Sequence, residues 1–556
     1  MSWRACVYGL LATLPIAFVA MEVATWVRNI PNWDEFDTVL DFLLALDSGA
    51  RGQEIAGRLL AVQNEHRMLA SRLLFATSYW ISGGINFIAL AVIGNLFLLG
   101  IFARFVGGRS ETAPRLRLAA IFSLTVFQLQ HHESLFWAGA SIDHFFVILA
   151  VVVALGALTS ASRWSLAVGC TAAFLATFSL AHGLLVWPIG MVLLWSGGRR
   201  RECLLWLAAA AASAALFFLD FQINPGHRTP GLAELPAIVG YWLTLAGSSP
   251  ALGNVPLAPW LGALLVAATA ALLALRRGEQ ARERLARATL VWCLGAMAMI
   301  AWGRALLAND YTPITSRYVI QSSIAWALLA WLLVERALAQ RTREPWWFGA
   351  VLAGLVGFNL AANAAHHGAG RAFAQDAEKA VRAYHRDGTF GRAETPLYPD
   401  PARADAVIRE VEERNIFRLP EPDSLQLCDL REVALDNPHE IADAAYFLDD
   451  VEPGPGEVHV RGWAFRPDHT SRLGEIAVVF RSADAIFAFE ATSQLRPDVA
   501  EAHERRDAIY AGFQLHLPHE KLPAGEYGVG ICFTSGRVTE YIMTARVVVI
   551  GRSAGQ

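Results

Sequence analysis

From the first residues to about residue 364, apolar stretches of about 20 residues recur between short polar loops. A bilayer core about 30 Å thick needs about that many residues per helix, since a helix rises about 1.5 Å per residue. Eleven crossings are therefore expected, at approximately 5–26, 80–103, 116–136, 141–160, 164–181, 183–197, 202–221, 257–275, 288–306, 318–337 and 346–364. The fifth and sixth are short, but Arg163 and Arg199–Arg201 bracket 35 residues, too many for one crossing. A single soluble globule is excluded by the balance of side chains, 54% hydrophobic and 17% charged, against about 25% charged in a soluble domain.

Arginine sets the expected orientation, because loops that stay in the cytoplasm keep positive charge. The clusters Arg104/Arg109/Arg115/Arg117, Arg163, Arg199/Arg200/Arg201, Arg276/Arg277/Arg282/Arg284/Arg287 and Arg336/Arg341/Arg343 fall in alternate loops. The N-terminus is expected in the cytoplasm, the first span is expected to be retained, and an odd number of spans exports the rest. The organisation that follows is a transmembrane domain over 1–364 with a first exported loop at 27–79, a mainly helical periplasmic connector over 365–449, and a periplasmic β-sandwich over 450–556. The short β-rich runs Val458–Val460, Ile476–Phe480, Tyr527–Phe533 and Arg546–Ile550, divided by Gly, Pro and Asp turns, carry that last expectation. The fold class expected is thus a polytopic α-helical membrane protein with a C-terminal soluble α/β region ending in a β-sandwich.

The formal charge of −4 divides into +6 for residues 1–364, which contain no lysine, and −10 for the remainder. Positive charge confined to short clusters between apolar runs does not make the basic, solvated face that nucleic acid needs, so that partner is excluded. Cys6, Cys170, Cys203 and Cys293 lie in apolar stretches without metal spacing; Cys428 and Cys532 stand in the tail, as a disulfide or as two separate thiols.

An ionisable group at membrane depth is costly unless it meets a cavity or a partner, so its position is informative. His66, His131, His132, His144, His182 and His227 all map to exported loops or exported ends of spans, with Glu22, Asp34, Glu35, Asp37, Glu133, Asp143, Asp220, Asp310, Arg304 and Arg317. A transporter would more naturally carry such groups at the midplane; this pattern predicts a cavity open on the outer face. Asn32-Trp33-Asp34-Glu35-Phe36-Asp37 is the foremost motif, two adjacent carboxylates able to divide base and binding roles or to hold a divalent ion, against the plainer reading of a solvated acidic run. Phe36, Val39, Leu40, Leu43 and Leu44 repeat at helical spacing and predict a helix lying along the lipid interface. Further candidates for substrate contact are Glu65, His66 and Arg67; His131, His132 and Glu133, near Trp137; Asp143, beside His144; His182; and Arg304, Arg317 and Tyr318. For the histidines the alternative is a packing network or a helix cap, and for the arginines snorkelling at the interface. His131-His132-Glu133 lacks zinc-protease spacing, and no Gly-rich nucleotide cradle follows a strand.

Two resemblances follow. Gly462-Trp463-Ala464, Arg496-Pro497-Asp498-Val499-Ala500, Ala511-Gly512-Phe513 and Leu522-Pro523-Ala524-Gly525 resemble a β-sandwich module attached to bacterial polysaccharide glycosyltransferases. The acidic motif in a first exported loop, many spans and an exported C-terminal domain resemble the GT-C superfamily of integral-membrane glycosyltransferases. That resemblance implies a hexosyl- or pentosyltransferase that takes sugar from a polyprenyl-phosphate donor. It implies a cell-envelope glycan, lipid or protein as acceptor on the periplasmic side, with Asp34 as base and Glu35 next to it. No cofactor is required, and Mg²⁺ or Mn²⁺ at Asp34 and Glu35 is allowed. A polymerase or ligase of lipid-linked saccharides, or a transporter of lipid-linked sugars, is the competing expectation.

Overall fold

The computed structural model describes residues 3–49, 51–63, 65–107, 112–160, 162–221, 231–274, 280–306, 314–339, 345–392, 397–420, 439–441, 443–454, 456–467, 471, 476–483, 485–535 and 538–550. His227, Asp310, Asn64, Cys428 and its proposed pairing, and Arg109, Arg276, Arg277, Arg341 and Arg343 lie outside these. The chain divides into two compact units, Met1–Pro422 and Asp423–Gln556.

Among the described residues, seven helices of the first unit are long and apolar enough to cross a membrane: α1 Trp3–Trp26, α2 Phe87–Val106, α3 Ala138–Leu158, α4 Arg200–Phe218, α5 Ala281–Arg304, α6 Ser316–Leu338 and α7 Trp346–Val381, the last interrupted by a turn at 366–368. Several of them turn large apolar side chains outward, among them Leu10 and Leu14 of α1, Leu96 of α2, Leu204 and Leu205 of α4 and Leu360 of α7. Apolar faces of this extent are stable in lipid and not in water. By contrast α3 and α6 are largely enclosed by protein. The chain thus has the build of a multi-pass membrane protein.

Among the described residues, seven of the eleven expected crossings fall on helices of membrane length, and shorter apolar helices run Ser165–Thr177, Ala181–Ser196, Leu232–Ala246 and Ala258–Ala274. The stretch 116–136 is not one helix. Thr112–Val126 stops, a 3₁₀ turn spans Leu129–His131, and a short helix runs His132–Phe136. Amides of α7 satisfy the backbone groups this break releases: Asn359 Nδ2 donates to the Leu124 and Phe127 carbonyls at 2.9 and 3.0 Å, and Asn363 Oδ1 accepts the Leu129 N–H at 3.0 Å. Without such partners a break among apolar helices would strand polar groups.

Three buried helices fix the polarity of the bundle. The Leu158 carbonyl ending α3 accepts from Arg199, the start of α5 sends Arg282 to the Gly107 carbonyl at 2.7 Å, and near the end of α6 Glu335 pairs with Arg117 at 2.8 Å. The opposite ends of the same helices carry Asp143 on α3, Arg304 on α5 and Arg317 on α6. The 24 residues of α5 separate these ends by about 36 Å.

The connector helices belong to this unit and wrap the loop after α1. Arg28 pairs with Glu378, Tyr398 Oη and Arg403 Nη2 donate to Asp37 at 2.9 and 2.6 Å, and Arg414 reaches Asp47 at 3.4 Å. Phe36 packs against Phe390 and Tyr398. The segment expected along the lipid interface is therefore covered by protein, with Phe36, Val39, Leu40 and Leu43 fully buried. The amphipathic spacing marked a buried face correctly, but its cover comes from residues more than 350 positions away.

In the second unit, β1 His439–Glu440, β2 Ala445–Pro453, β3 Glu457–Phe465, β4 Ile476–Arg481, β5 Ile486–Glu490, β6 Thr492–Gln494, β7 Gly512–Pro518, β8 Gly525–Ser535 and β9 Val538–Ile550 form two sheets ordered β1-β9-β8-β4-β5 and β2-β3-β7-β6. Pairing is antiparallel except for the short β1–β9 ladder. Val458, Val460, Phe513 and Leu515 from one sheet and Val478, Phe480, Val529 and Ile531 from the other share a core, as alternation with period two dictates.

The helix Leu235–Ala246, which the sequence reading missed, lies against Ala258–Ala274 through glycine: a Cβ on Gly262 would sit 1.9 Å from the Leu243 carbonyl oxygen. Gly262→Ala is expected to destabilise the purified protein by about 1–3 kcal/mol, read as a lowered thermal midpoint. An unchanged midpoint would contradict this close approach.

Candidate functional site

One cavity of about 270 Å³ opens where α3, α5 and α6 present their Asp143, Arg304 and Arg317 ends. Of the residues expected to act, Asp34, Glu35, Glu65, His66, Asp143, His182, Arg304, Arg317 and Tyr318 line it. Arg67, His131, His132 and Glu133 do not.

The two carboxylates of the acidic motif are separated by the backbone. Trp33 adopts φ +44°, a left-handed conformation rarely held by a bulky residue, and its N–H is fixed on the Leu397 carbonyl at 2.7 Å. Beyond that kink Asp34 opens to the cavity and Glu35 turns into the protein, 1% exposed. Glu35 accepts the Asn32 N–H and the Gly139 N–H at 2.6 Å each, which ties the loop to the first turn of α3. A π-helical segment, Phe36–Asp41, follows directly, and Thr38 donates both its N–H and its hydroxyl to the Asp34 carbonyl at 2.8 and 2.7 Å. The backbone under Asp34 is thus held from both sides.

Burial by the cavity walls raises the Asp34 carboxyl above its ordinary range; nearby Arg317 and Arg304 oppose that effect, and Asp37 adds to it. For Glu35 burial dominates over its two backbone hydrogen bonds and pushes the carboxyl up to about 8. Each Glu35 oxygen thus accepts one backbone N–H, whereas Asp34 faces the cavity. Among the described residues no group of three or more metal-ligating side chains gathers.

Arg317 is braced rather than loose. Its Nη1 lies 3.6 Å from Glu133 Oε2, and its guanidinium stands over the Trp137 and Tyr318 rings at 5.9 and 5.4 Å. Glu133, outside the cavity, is joined to it by this contact with Arg317. His66 Nδ1 accepts the Ala181 N–H at 3.1 Å, which leaves its proton on Nε2, and burial holds the imidazole below its usual range. Ser71 donates to Asp143 on the cavity wall.

The residues left out have structural settings. Arg67 donates to the carbonyls of Phe217, Leu60 and Leu219 and fastens the loop to the end of α4. His131 packs edge-on against Phe145, and His132 faces His366 at 5.9 Å between ring centres. Gln63, Trp137, His144 and Trp302 line the cavity although the sequence reading did not single them out as site residues. His144 was legible as the helical neighbour of Asp143. Gln63 and Trp302 carried no signal in spacing. Compared with known protein families, curated proteins and solved structures, the chain matches none.

The Glu35 clamp has a pH signature. A carboxyl whose folded value lies near 8, against 4.5 when free, binds more protons folded than unfolded between those limits, so its contribution to stability falls as pH rises through them. The thermal midpoint of the wild type should drop more steeply from about pH 5 to about pH 8 than that of Glu35→Gln. Parallel profiles would contradict the assignment.

Proposed function

We propose that this chain is a GT-C-type membrane glycosyltransferase that moves a sugar from a polyprenyl-phosphate donor to a hydroxyl of a cell-envelope glycan, lipid or protein. The observation that carries the reading is the meeting of Asp34, Arg304 and Arg317 at one cavity, at the helix ends opposite those that bond Arg117, Arg199 and Arg282. Arginine-rich ends favour the cytoplasm, so the cavity opens on the periplasmic side. The two-sheet C-terminal unit is the β-sandwich attached to such enzymes and reads as a periplasmic accessory domain.

In the reaction, Asp34 accepts the proton of the acceptor hydroxyl as its oxygen attacks the anomeric carbon. The bond from that carbon to the phosphate oxygen breaks, and its electron pair leaves with the lipid phosphate. Burial strengthens Asp34 as a base, while Arg304 and Arg317 keep its ionised form accessible. Guanidinium groups match phosphate oxygens in planar, two-point fashion and stabilise the charge that develops there. Glu133 and the Trp137 and Tyr318 rings orient Arg317 for this task.

The test is transfer from a lipid-linked sugar to added acceptors by the purified protein. Asp34→Asn is expected to lower turnover by about 10²–10⁴-fold, the usual worth of a general base, with donor binding retained. Turnover at the wild-type rate in that variant would contradict the assignment, and movement of donor across a vesicle membrane without bond transfer would favour a transporter.

A further inference from the structure

Three of the residues that line the cavity each carry a buried polar atom with no hydrogen-bond partner among the described residues: Nε1 of Trp137, Nδ1 of His144 and Nε2 of His182. Their side chains are 8%, 7% and 4% exposed. A buried polar atom left unpaired costs about 1–3 kcal/mol, and three carried by residues of one cavity wall point to a ligand that pairs them once these side chains turn toward it.

The kind of ligand follows from the donors and acceptors. Indole N–H only donates, whereas a neutral imidazole offers one donor and one acceptor. A phosphate oxygen cannot satisfy an acceptor nitrogen. A hydroxyl group satisfies either. The geometry also separates the two functions by one ring, since Tyr318 lies between them: Arg317 stands over it at 5.4 Å, and His144 meets it edge-on at 5.7 Å between centres. A molecule whose phosphate lies at Arg317 and whose next group is rich in hydroxyls therefore spans both regions.

Resting on the transferase reading above, we infer that Trp137, His144 and His182 form the subsite that holds the sugar ring of the donor, through its hydroxyls, beside the phosphate-binding arginines. Trp302, about half exposed at the cavity, offers an apolar face to the C–H side of the ring. His182 is held for this task by its own carbonyl, which accepts the Trp292 indole N–H at 3.2 Å, and by ring contact with Trp292 at 5.5 Å. Gly183 allows the turn that presents it, for a Cβ there would fall 1.9 Å from the Ala176 carbonyl oxygen.

The experiment titrates the purified full-length protein with a short-chain polyprenyl phosphate, bare or carrying glucose, galactose, mannose or arabinose. The wild type should bind at least one glycosylated probe more tightly than the bare one. His144→Ala and His182→Ala should each weaken that probe by about tenfold and leave the bare phosphate within about twofold, which also reports that the variants are folded. Should either alanine variant fail to fold, His144→Asn and His182→Gln, which keep an amide near the orphaned nitrogen, take its place and should retain part of the preference. Variants that keep the full preference for the sugar would overturn the subsite and leave the transferase reading standing. A wild type that binds bare and glycosylated probes alike would also overturn it. Binding of none of these probes would remove the transferase reading together with the subsite.

Discussion

The site depends on one buried carboxyl. Glu35 takes a backbone N–H from Asn32 with one oxygen and from Gly139 with the other, and so joins the loop after α1 to the start of α3, which protein largely encloses. A carboxyl buried this deeply is tolerated because both oxygens are paired. Gly139 allows the approach, since a Cβ there would already touch the Glu35 side chain at 3.2 Å. With Glu35 fixed inward and Trp33 kinked, Asp34 has one direction left, toward the cavity. The second layer of support comes from Tyr398 and Arg403, which hold Asp37.

Protein crowds Asp34 on the side of the loop, while Arg304 and Arg317 stand near enough to act on its charge. Positive charge at the far ends of the helices serves another purpose, joining α3, α5 and α6 to neighbouring chain segments through carbonyls and Glu335. Two populations of arginine, about one bilayer apart, thus do different work: one closes loops, the other faces the cavity.

Much of this was legible because the signals were local. Apolar length marked the seven long helices, alternation marked the paired strands, and the clustering of Asp34, His66, Asp143, His182, Arg304 and Arg317 at one set of span ends foretold a shared cavity. What escaped depended on partners distant in sequence. The break after Val126 is allowed by Asn359 and Asn363, more than 230 positions on. The fates of Asp34 and Glu35 were indistinguishable in a string of acids, because a single backbone kink at Trp33 divides them. Arg67 resembled a substrate contact until the carbonyls of Phe217 and Leu219 supplied its partners.

The central claim is that Asp34 and the loop-closing arginines lie on opposite sides of a bilayer. Single accessible cysteines at Trp33 and Ser160, both exposed, introduced in a background with Cys6, Cys170 and Cys428 replaced by serine, which leaves only the buried Cys203, Cys293 and Cys532, test it when sealed vesicles are treated with a membrane-impermeant maleimide. Trp33→Cys is expected to react in right-side-out vesicles and Ser160→Cys only in inverted ones. Reaction of both from the same side, or the reverse pattern, would contradict the account.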